Sequence, residues 1–395
     1  MVLARLILGM AWLSWASIGL AAKPDQAQII EHKLRNFPLL KMGIRPERMP
    51  VNEVSEKPLV EIVAALLHEE PSALILSTRA IHERLAPIFP DHLAKIELNS
   101  FEEASRIASL PGFAERKLII GIGAGAALDT AKAVAVNGQR LIVIPTLLST
   151  NCHSSNRTVM GKGLEALSYL AGTPEKVIIP INEILALPAE SLRYWTSAGI
   201  ADYLAGVSAR IDQFYRDNPT RLRGASLADL RRDQHTAEAF EAADWFESEF
   251  ADYDRRALLK FDDYSNRTGF LDIRLSSNAY RIGSEHSFYH ASNELFPSLR
   301  KHGPAHGHIV AWGSLFNAYA FGRYSGDLSL YRKLKRVMKK LGIPTDLAGI
   351  DRMGMTEIQI LESLRAVPKP PFKDSVMGKY VLEFGAEALV RATLD

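Results

Sequence analysis

Lys117-Leu118-Ile119-Ile120-Gly121-Ile122-Gly123-Ala124-Gly125-Ala126-Ala127-Leu128-Asp129-Thr130-Ala131-Lys132 is an apolar run that breaks into a small-residue turn and then opens a helical pattern. A short, nearly continuous apolar run suits a strand buried on both faces, and glycines after such a strand let the backbone approach a diphosphate. The free N–H groups and positive dipole end of the next helix would face that anion. The same unit is also a plain tight connection between strand and helix, so its meaning depends on its neighbours.

The neighbours repeat the pattern. Ala73–Leu76, Ala94–Leu98, Lys117–Gly121, Leu141–Pro145 and Lys176–Pro180 read as strands, with helical segments between the first four. From about residue 58 this alternation predicts a parallel sheet covered on both faces by helices. Beyond residue 182 the segments Pro188–Asp217, Ala225–Asp262, Asn278–Leu295, His306–Phe321 and Leu328–Leu341 carry apolar residues at three- and four-residue spacing, the mark of helices, and Val367–Phe372 reads as a turn. The expectation is an α/β dinucleotide-binding domain with a parallel sheet over 23–182, followed by an all-α domain over 183–395.

A length of 395 residues fits two domains. With 47 Lys+Arg against 45 Asp+Glu, the chain has no strong positive field, which argues against nucleic acid as a partner. Cys152 is the single cysteine, so a metal site must use imidazole and carboxylate. Arg5 precedes an uncharged run, Leu6–Ala22, that reads either as a secretory signal peptide or as an upstream extension ahead of Met10 or Met42. The run is short for a membrane span, and no membrane association is expected of the mature chain.

Three further features bear chemistry. The loop after Leu141–Pro145, running from Thr146 through Ser149, Thr150, Asn151 and Cys152 to Asn156, is crowded with hydroxyls and amides where parallel-sheet ligands bind. Asp202 sits inside the apolar helical run Gly199–Ala205, where an unpaired buried carboxylate would be costly. Five of the eleven histidines fall between His286 and His308. His286 and His290 share a helix face, and a further histidine could join Asp202 in an Asp/His/His site for a divalent metal.

In this order the features resemble the iron-containing alcohol dehydrogenase superfamily, within it the glycerol dehydrogenase and glycerol-1-phosphate dehydrogenase branch, with 3-dehydroquinate synthase as a cousin. The likeness spans roughly residues 58 to 350. The family's GGGxxxDxAK is similar to Gly123–Lys132, with Ala124 for the middle glycine; its PTxxSTD is similar to Pro145–Asn151, and its LG(L/I)P to Leu341–Pro344. More specific are GxxDxxA, SEHxxxH and HGxxVxxG, which look like Gly199–Ala205, Ser284–His290 and His306–Gly313.

The resemblance implies one divalent metal, zinc or iron, on Asp202, His286 and His306. His302 is the rival third ligand, also followed by glycine but without the matching Val and Gly. It implies a nicotinamide dinucleotide, NAD or NADP, bound by Gly123, Ala124, Gly125, Asp129, Thr146, Ser149 and Thr150 in a cleft between the two halves, and the end of the first strand adds Thr78 and Arg79 as cofactor candidates. Hydride would pass between the nicotinamide and a small alcohol or its ketone, with His290 and Asn151 as catalytic candidates. A cytoplasmic setting follows from the free nicotinamide pool, export being the alternative, and a homo-oligomer is compatible with the family.

Two departures stand out. Asn151 replaces the aspartate that contacts polyols in the dehydrogenases. Ser77-Thr78-Arg79 lacks the acid that would hold a ribose 2′-hydroxyl, and Arg79 would suit a 2′-phosphate. A carbocycle-forming synthase and a catalytically silent cofactor-binding module are the alternative readings.

Overall fold

The computed structural model describes residues 26–43, 49–97, 99–135, 138–150, 152–161, 167–233, 236–275, 282–368 and 375–394. The Leu6–Ala22 run, Asn151 and most of the Val367–Phe372 turn lie outside these residues. The chain forms two compact units, Met1–Pro38 and Leu39–Asp395. The first contains the helix Gln26–Arg35. The second holds both the sheet and the large helical portion.

Its sheet has six parallel strands: β1 (Val51–Ser55), β2 (Leu74–Thr78), β3 (Leu93–Ile96), β4 (Leu118–Gly123), β5 (Arg140–Pro145) and β8 (Lys176–Pro180), in the order β1-β8-β5-β4-β2-β3. Alternation along β4 divides its residues between two faces. Leu118, Ile120 and Ile122 join Ile75, Ile142, Ile144 and Ile178 in one core with Leu59, Ile62, Val63 and Leu66 of helix α1 (Leu59–Glu69). On the other face Gly121 makes room for α2 (Gly125–Val134), since a Cβ there would stand 2.6 Å from the Ala131 Cβ.

Two elements were not foreseen. β1 is an edge strand with four of five residues exposed, so it carries no buried apolar run to betray it. β6 (Arg157–Met160) and β7 (Leu167–Leu170) form a separate antiparallel pair between β5 and β8.

After β8 every described element is a helix. The expected single helix Ala225–Asp262 is three, Leu227–Arg231, Ala237–Ser248 and Arg255–Leu275. Ser226 and Asp229 form a capping box, and the Asp254 carboxylate accepts from the Ala257 N–H at 2.8 Å. The site is built from α3 (Ala189–Asp217), α4 (Arg255–Leu275), α5 (Ser284–Leu295) and α6 (His306–Ser325). Among the described residues no helix is long and apolar enough to cross a membrane.

Candidate metal and cofactor site

The glycine turn is fixed by local backbone geometry. Gly123 has φ of +142°, a conformation that L side chains rarely adopt, and a Cβ there would stand 3.1 Å from the Ala127 Cβ. Ala124, the N-cap of α2, is ordinary extended backbone with φ of −88°, so alanine replaces the family's middle glycine without strain. No side chain caps this helix, which leaves its first N–H groups for a bound anion.

The loop after β5 runs alongside. Gly123 pairs with Pro145 in register, and the Thr146 N–H donates to the Gly123 carbonyl at 3.0 Å. A Cβ on Gly125 would stand 3.5 Å from Thr150 Cγ2 and 3.7 Å from Cys152 Sγ. Ser149 and Thr150 are half-buried beside the turn. Burial, followed by the Asp129 charge, pushes the Cys152 thiol up to about 11, which keeps it protonated at neutral pH.

Asp129 is buried and turned away from open solvent. Its carboxylate pairs with Lys132 Nζ at 2.8 Å and accepts from the Val159 N–H at 3.3 Å. Burial raises its pKa. Lys132, fully buried, also donates to the carbonyls of Cys152, at 3.0 Å, and Arg157. The pair thus ties the loop and β6 to α2. Thr78 ends β2 half-buried, 3.4 Å from where a Gly123 Cβ would be, and Arg79 is exposed, with its Nε 2.7 Å from Glu83.

The backbone of α6 lies against both α3 and α5, and that of α3 against the loop after β5. A Cβ on Gly199 would stand 2.1 Å from the Leu148 carbonyl oxygen, and one on Gly307 only 1.8 Å from that of Ala198. Only glycine permits either contact. The Gly307 approach sets Asp202, one turn beyond Gly199 on α3, beside His306 at the start of α6, and the approach of Gly313 to the Glu285 backbone sets α6 against α5, which carries His286.

Asp202 Oδ1 lies 3.1 Å from His306 Nε2 and 3.5 Å from His286 Nε2, and one donor atom from each residue falls within 4.8 Å of the others. Donors around a tetrahedral zinc with bonds of about 2.0–2.1 Å are separated by roughly 3.3 Å. One carboxylate and two imidazoles at this spacing fit a divalent cation and leave a position for substrate. His302 is exposed and is not part of the cluster.

Without a cation the cluster behaves as an ion pair. Burial works to raise the Asp202 pKa, but His306 and then His286 overcome it and hold the carboxylate far below its usual range. Burial works to lower that of His286, but hydrogen bonds to Asp202 and Glu285 carry it up to about 9. Metal ligands must be deprotonated, so a cation would displace that proton and take over its charge.

His290 stands one turn beyond His286, its ring 5.3 Å from that of Tyr289, and Tyr289 in turn meets the His306 ring edge-on at 4.1 Å. Burial, then the charges of His286 and His306, push His290 down to about 3, so it is neutral at physiological pH.

Sequence reasoning passed over three groups. Glu285, beside a ligand, is fully buried and accepts from His286 Nδ1 at 2.9 Å. Lys132 lay unremarked inside the quoted glycine motif. His153 Nε2 meets Asp262 Oδ1 of α4 at 3.1 Å, and Asp262 Oδ2 accepts from Asn52 of β1 at 2.7 Å and from Asn266 at 3.0 Å. The last network joins the loop and sheet to the helical half. Nothing but adjacency to a motif flagged any of them.

The described residues thus join a six-stranded parallel sheet, through one loop, to a helical Asp/His/His cluster that could hold a metal ion. The family model described as iron-containing alcohol dehydrogenase matches residues 62–188. Glycerol-1-phosphate dehydrogenase [NAD(P)+] of Methanoculleus marisnigri is 29% identical over 303 residues, covering 74% of this chain and 76% of its own. The protein of that name from Sulfolobus acidocaldarius is 26% identical over 344 residues, covering 85% and 89%.

In fold, a probable glycerol dehydrogenase from Sinorhizobium meliloti aligns with a TM-score of 0.63 at 20% identity, over 88% of this chain and 99% of that one. A 2-deoxy-scyllo-inosose synthase aligns at 0.51 and 14% identity, over 80% and 88%. The chain is thus similar to iron-containing alcohol dehydrogenases over residues 62–188 and to glycerol-1-phosphate dehydrogenases over most of its length, and it shares the fold of the glycerol dehydrogenase structure.

Proposed function

We propose that this protein interconverts a small polyol or glycerol-phosphate-type alcohol and its ketone, with NAD or NADP as hydride acceptor and donor and one zinc or iron ion on Asp202, His286 and His306. One observation carries the reading: the loop after β5 touches the start of α2 on one side and Gly199, one turn before Asp202, on the other. A nicotinamide held by the turn and a substrate held at the cluster would then meet across a single loop. The names of the glycerol-1-phosphate dehydrogenases it resembles support the substrate class, and their use of NAD(P) fits a cytoplasmic setting with a free nicotinamide pool.

The reaction balances as alcohol plus NAD(P)+ giving ketone, NAD(P)H and a proton. A bound divalent cation would polarise the substrate oxygen and lower the alcohol's pKa. Asp202 supplies negative charge to that cation, and the two imidazoles complete its hold. The uncapped first turn of α2 and the hydroxyls of Thr146, Ser149 and Thr150 receive the cofactor's diphosphate. His290, neutral and one turn from His286, relays the hydroxyl proton. Asn151 hydrogen-bonds the substrate where its relatives present a charge. Arg79 exchanges its exposed pairing with Glu83, worth little in water, for the 2′-phosphate of NADP.

The test supplies Zn2+ or Fe2+ with NAD or NADP, screens glycerol, dihydroxyacetone phosphate and other polyols, and follows absorbance of the reduced nicotinamide. Sustained cofactor turnover is expected, and His286→Ala should lower kcat/KM by about 10³-fold, roughly 4 kcal/mol. Arg79→Ala should weaken turnover with NADP and leave that with NAD unchanged. Product without net cofactor change would indicate a synthase; cofactor binding without any product would indicate a silent module.

A further inference from the structure

We propose that Glu285 is a positioning residue for the metal site, whose buried charge fixes the tautomer of His286 and raises the affinity for the cation. This rests on the metal reading above. Glu285 is 0% exposed; its Oε1 accepts from the Gly283 N–H at 2.6 Å and faces His286 Nδ1 at 2.9 Å. With Nδ1–H donated to the carboxylate, the Nε2 lone pair of His286 is left toward Asp202 and the cation.

The energetics demand a positive partner. Glu285 Oε2 has no hydrogen-bond partner among the described residues, and the only cationic group within ion-pair distance of the carboxylate there is His286. Asp212, also fully buried, adds a second acid, with its oxygens taken by the N–H groups of Ser284 at 2.7 Å and Val376 at 2.9 Å. A Cβ on Gly283 would stand 2.8 Å from both Asp212 Oδ2 and Glu285 Oε2, so the two carboxylates share the space behind the start of α5. A buried carboxylate without compensation costs several kcal/mol. A cation on His286 supplies that compensation through the imidazole.

The arrangement is specific to one ligand. Gly313 of α6 brings its backbone against Glu285, where a Cβ would stand 2.7 Å from the Glu285 Cα. His306 has no such clamp; its side chain is 35% exposed and rests on the Tyr289 ring.

Glu285→Gln tests this, because glutamine keeps the size and still accepts from Nδ1–H while losing the charge. The full-length, metal-stripped protein is titrated with Zn2+ against a competing chelator, and the Co2+-substituted forms are compared by visible absorption. Glu285→Gln should bind Zn2+ about 10–100-fold more weakly, with a shifted Co2+ spectrum, while the metal-free protein keeps its fold. Glu285→Ala should weaken binding further; if it fails to fold, the glutamine variant carries the test alone. A wild type that binds Zn2+ and a folded Glu285→Gln that matches it within about twofold would overturn the proposal. A wild type that binds no Zn2+ is a different outcome, overturning the metal reading itself.

Discussion

The turn that opens α2 and the cluster formed by α3, α5 and α6 are built by opposite means. The turn is contiguous in sequence, and its shape comes from one positive φ at Gly123 and the pairing of Gly123 with Pro145. The cluster draws on α3 and the later pair α5 and α6, brought together where glycines remove side chains from backbone contacts at Gly307 and Gly313. A local object can absorb a local change, as Ala124 shows. A long-range one depends on each contact that closes it.

The sharpest way to break this contrast is a matched pair of substitutions. Gly307→Val puts branched carbon where even a Cβ would be 1.8 Å from the Ala198 oxygen, so α6 must move off α3 and His306 with it. We expect Zn2+ affinity to fall by about 10³-fold or more, roughly 4 kcal/mol, together with the usual cost of overpacking. Ala124→Gly should change stability by no more than about 1 kcal/mol and leave metal binding alone. Chelator competition and chemical denaturation read both. Wild-type Zn2+ affinity in Gly307→Val would end the argument that helix contact assembles the site.

The second test asks whether the turn is as local as it looks, since a buried ion pair braces it from behind. Lys132→Met leaves Asp129 buried without its partner and releases the Cys152 and Arg157 carbonyls. Removing one member of such a pair costs about 3–5 kcal/mol, measured by denaturation. Adding Asp129→Asn to the same chain should recover part of the loss, because the uncompensated charge is then gone. A small loss in the single variant would mean that the turn stands without its brace.

The same division explains what could be read in advance. β2, β4, β5 and β8 are buried on both faces and announce themselves as apolar runs, whereas β1 is exposed along an edge and reads as polar chain. The helical half was legible in its periodicity, but not in its breaks, since a cap such as Asp254 acts only once the backbone has turned. Asp202, His286 and His306 each stood out as residues, yet spacing could not say that they share one point in space; resemblance suggested it. Glu285 and Asp262 escaped notice because a carboxylate in a sequence reads as surface, and burial is a property of the folded chain. Asn151, the departure of most chemical interest, lies outside the described residues.

The smallest expected effect separates the two regions by pH. His308 on α6 is buried, 2.9 Å from Ser197 Oγ, and burial pushes its pKa down to about 4. The unfolded chain, with an ordinary imidazole near 6.5, takes up the proton first. Stability from neutral His308 is therefore present above about pH 6.5 and lost as pH falls through about 4, by at most about 3 kcal/mol. In the metal-free protein His286 acts in the opposite sense: its pKa is raised to about 9, so its contribution is present below about 6.5 and lost as pH rises through 9. The two windows do not overlap. Denaturation of the metal-stripped protein across pH 4–10 should show both slopes, and His308→Asn should lessen the acid one, which buried His290 also carries, and leave the alkaline one unchanged. No histidine falls between His92 and His153, so the glycine turn has none of its own to titrate. An acid slope unchanged in His308→Asn would mean that protons act elsewhere, and that the helical half does not own the pH response.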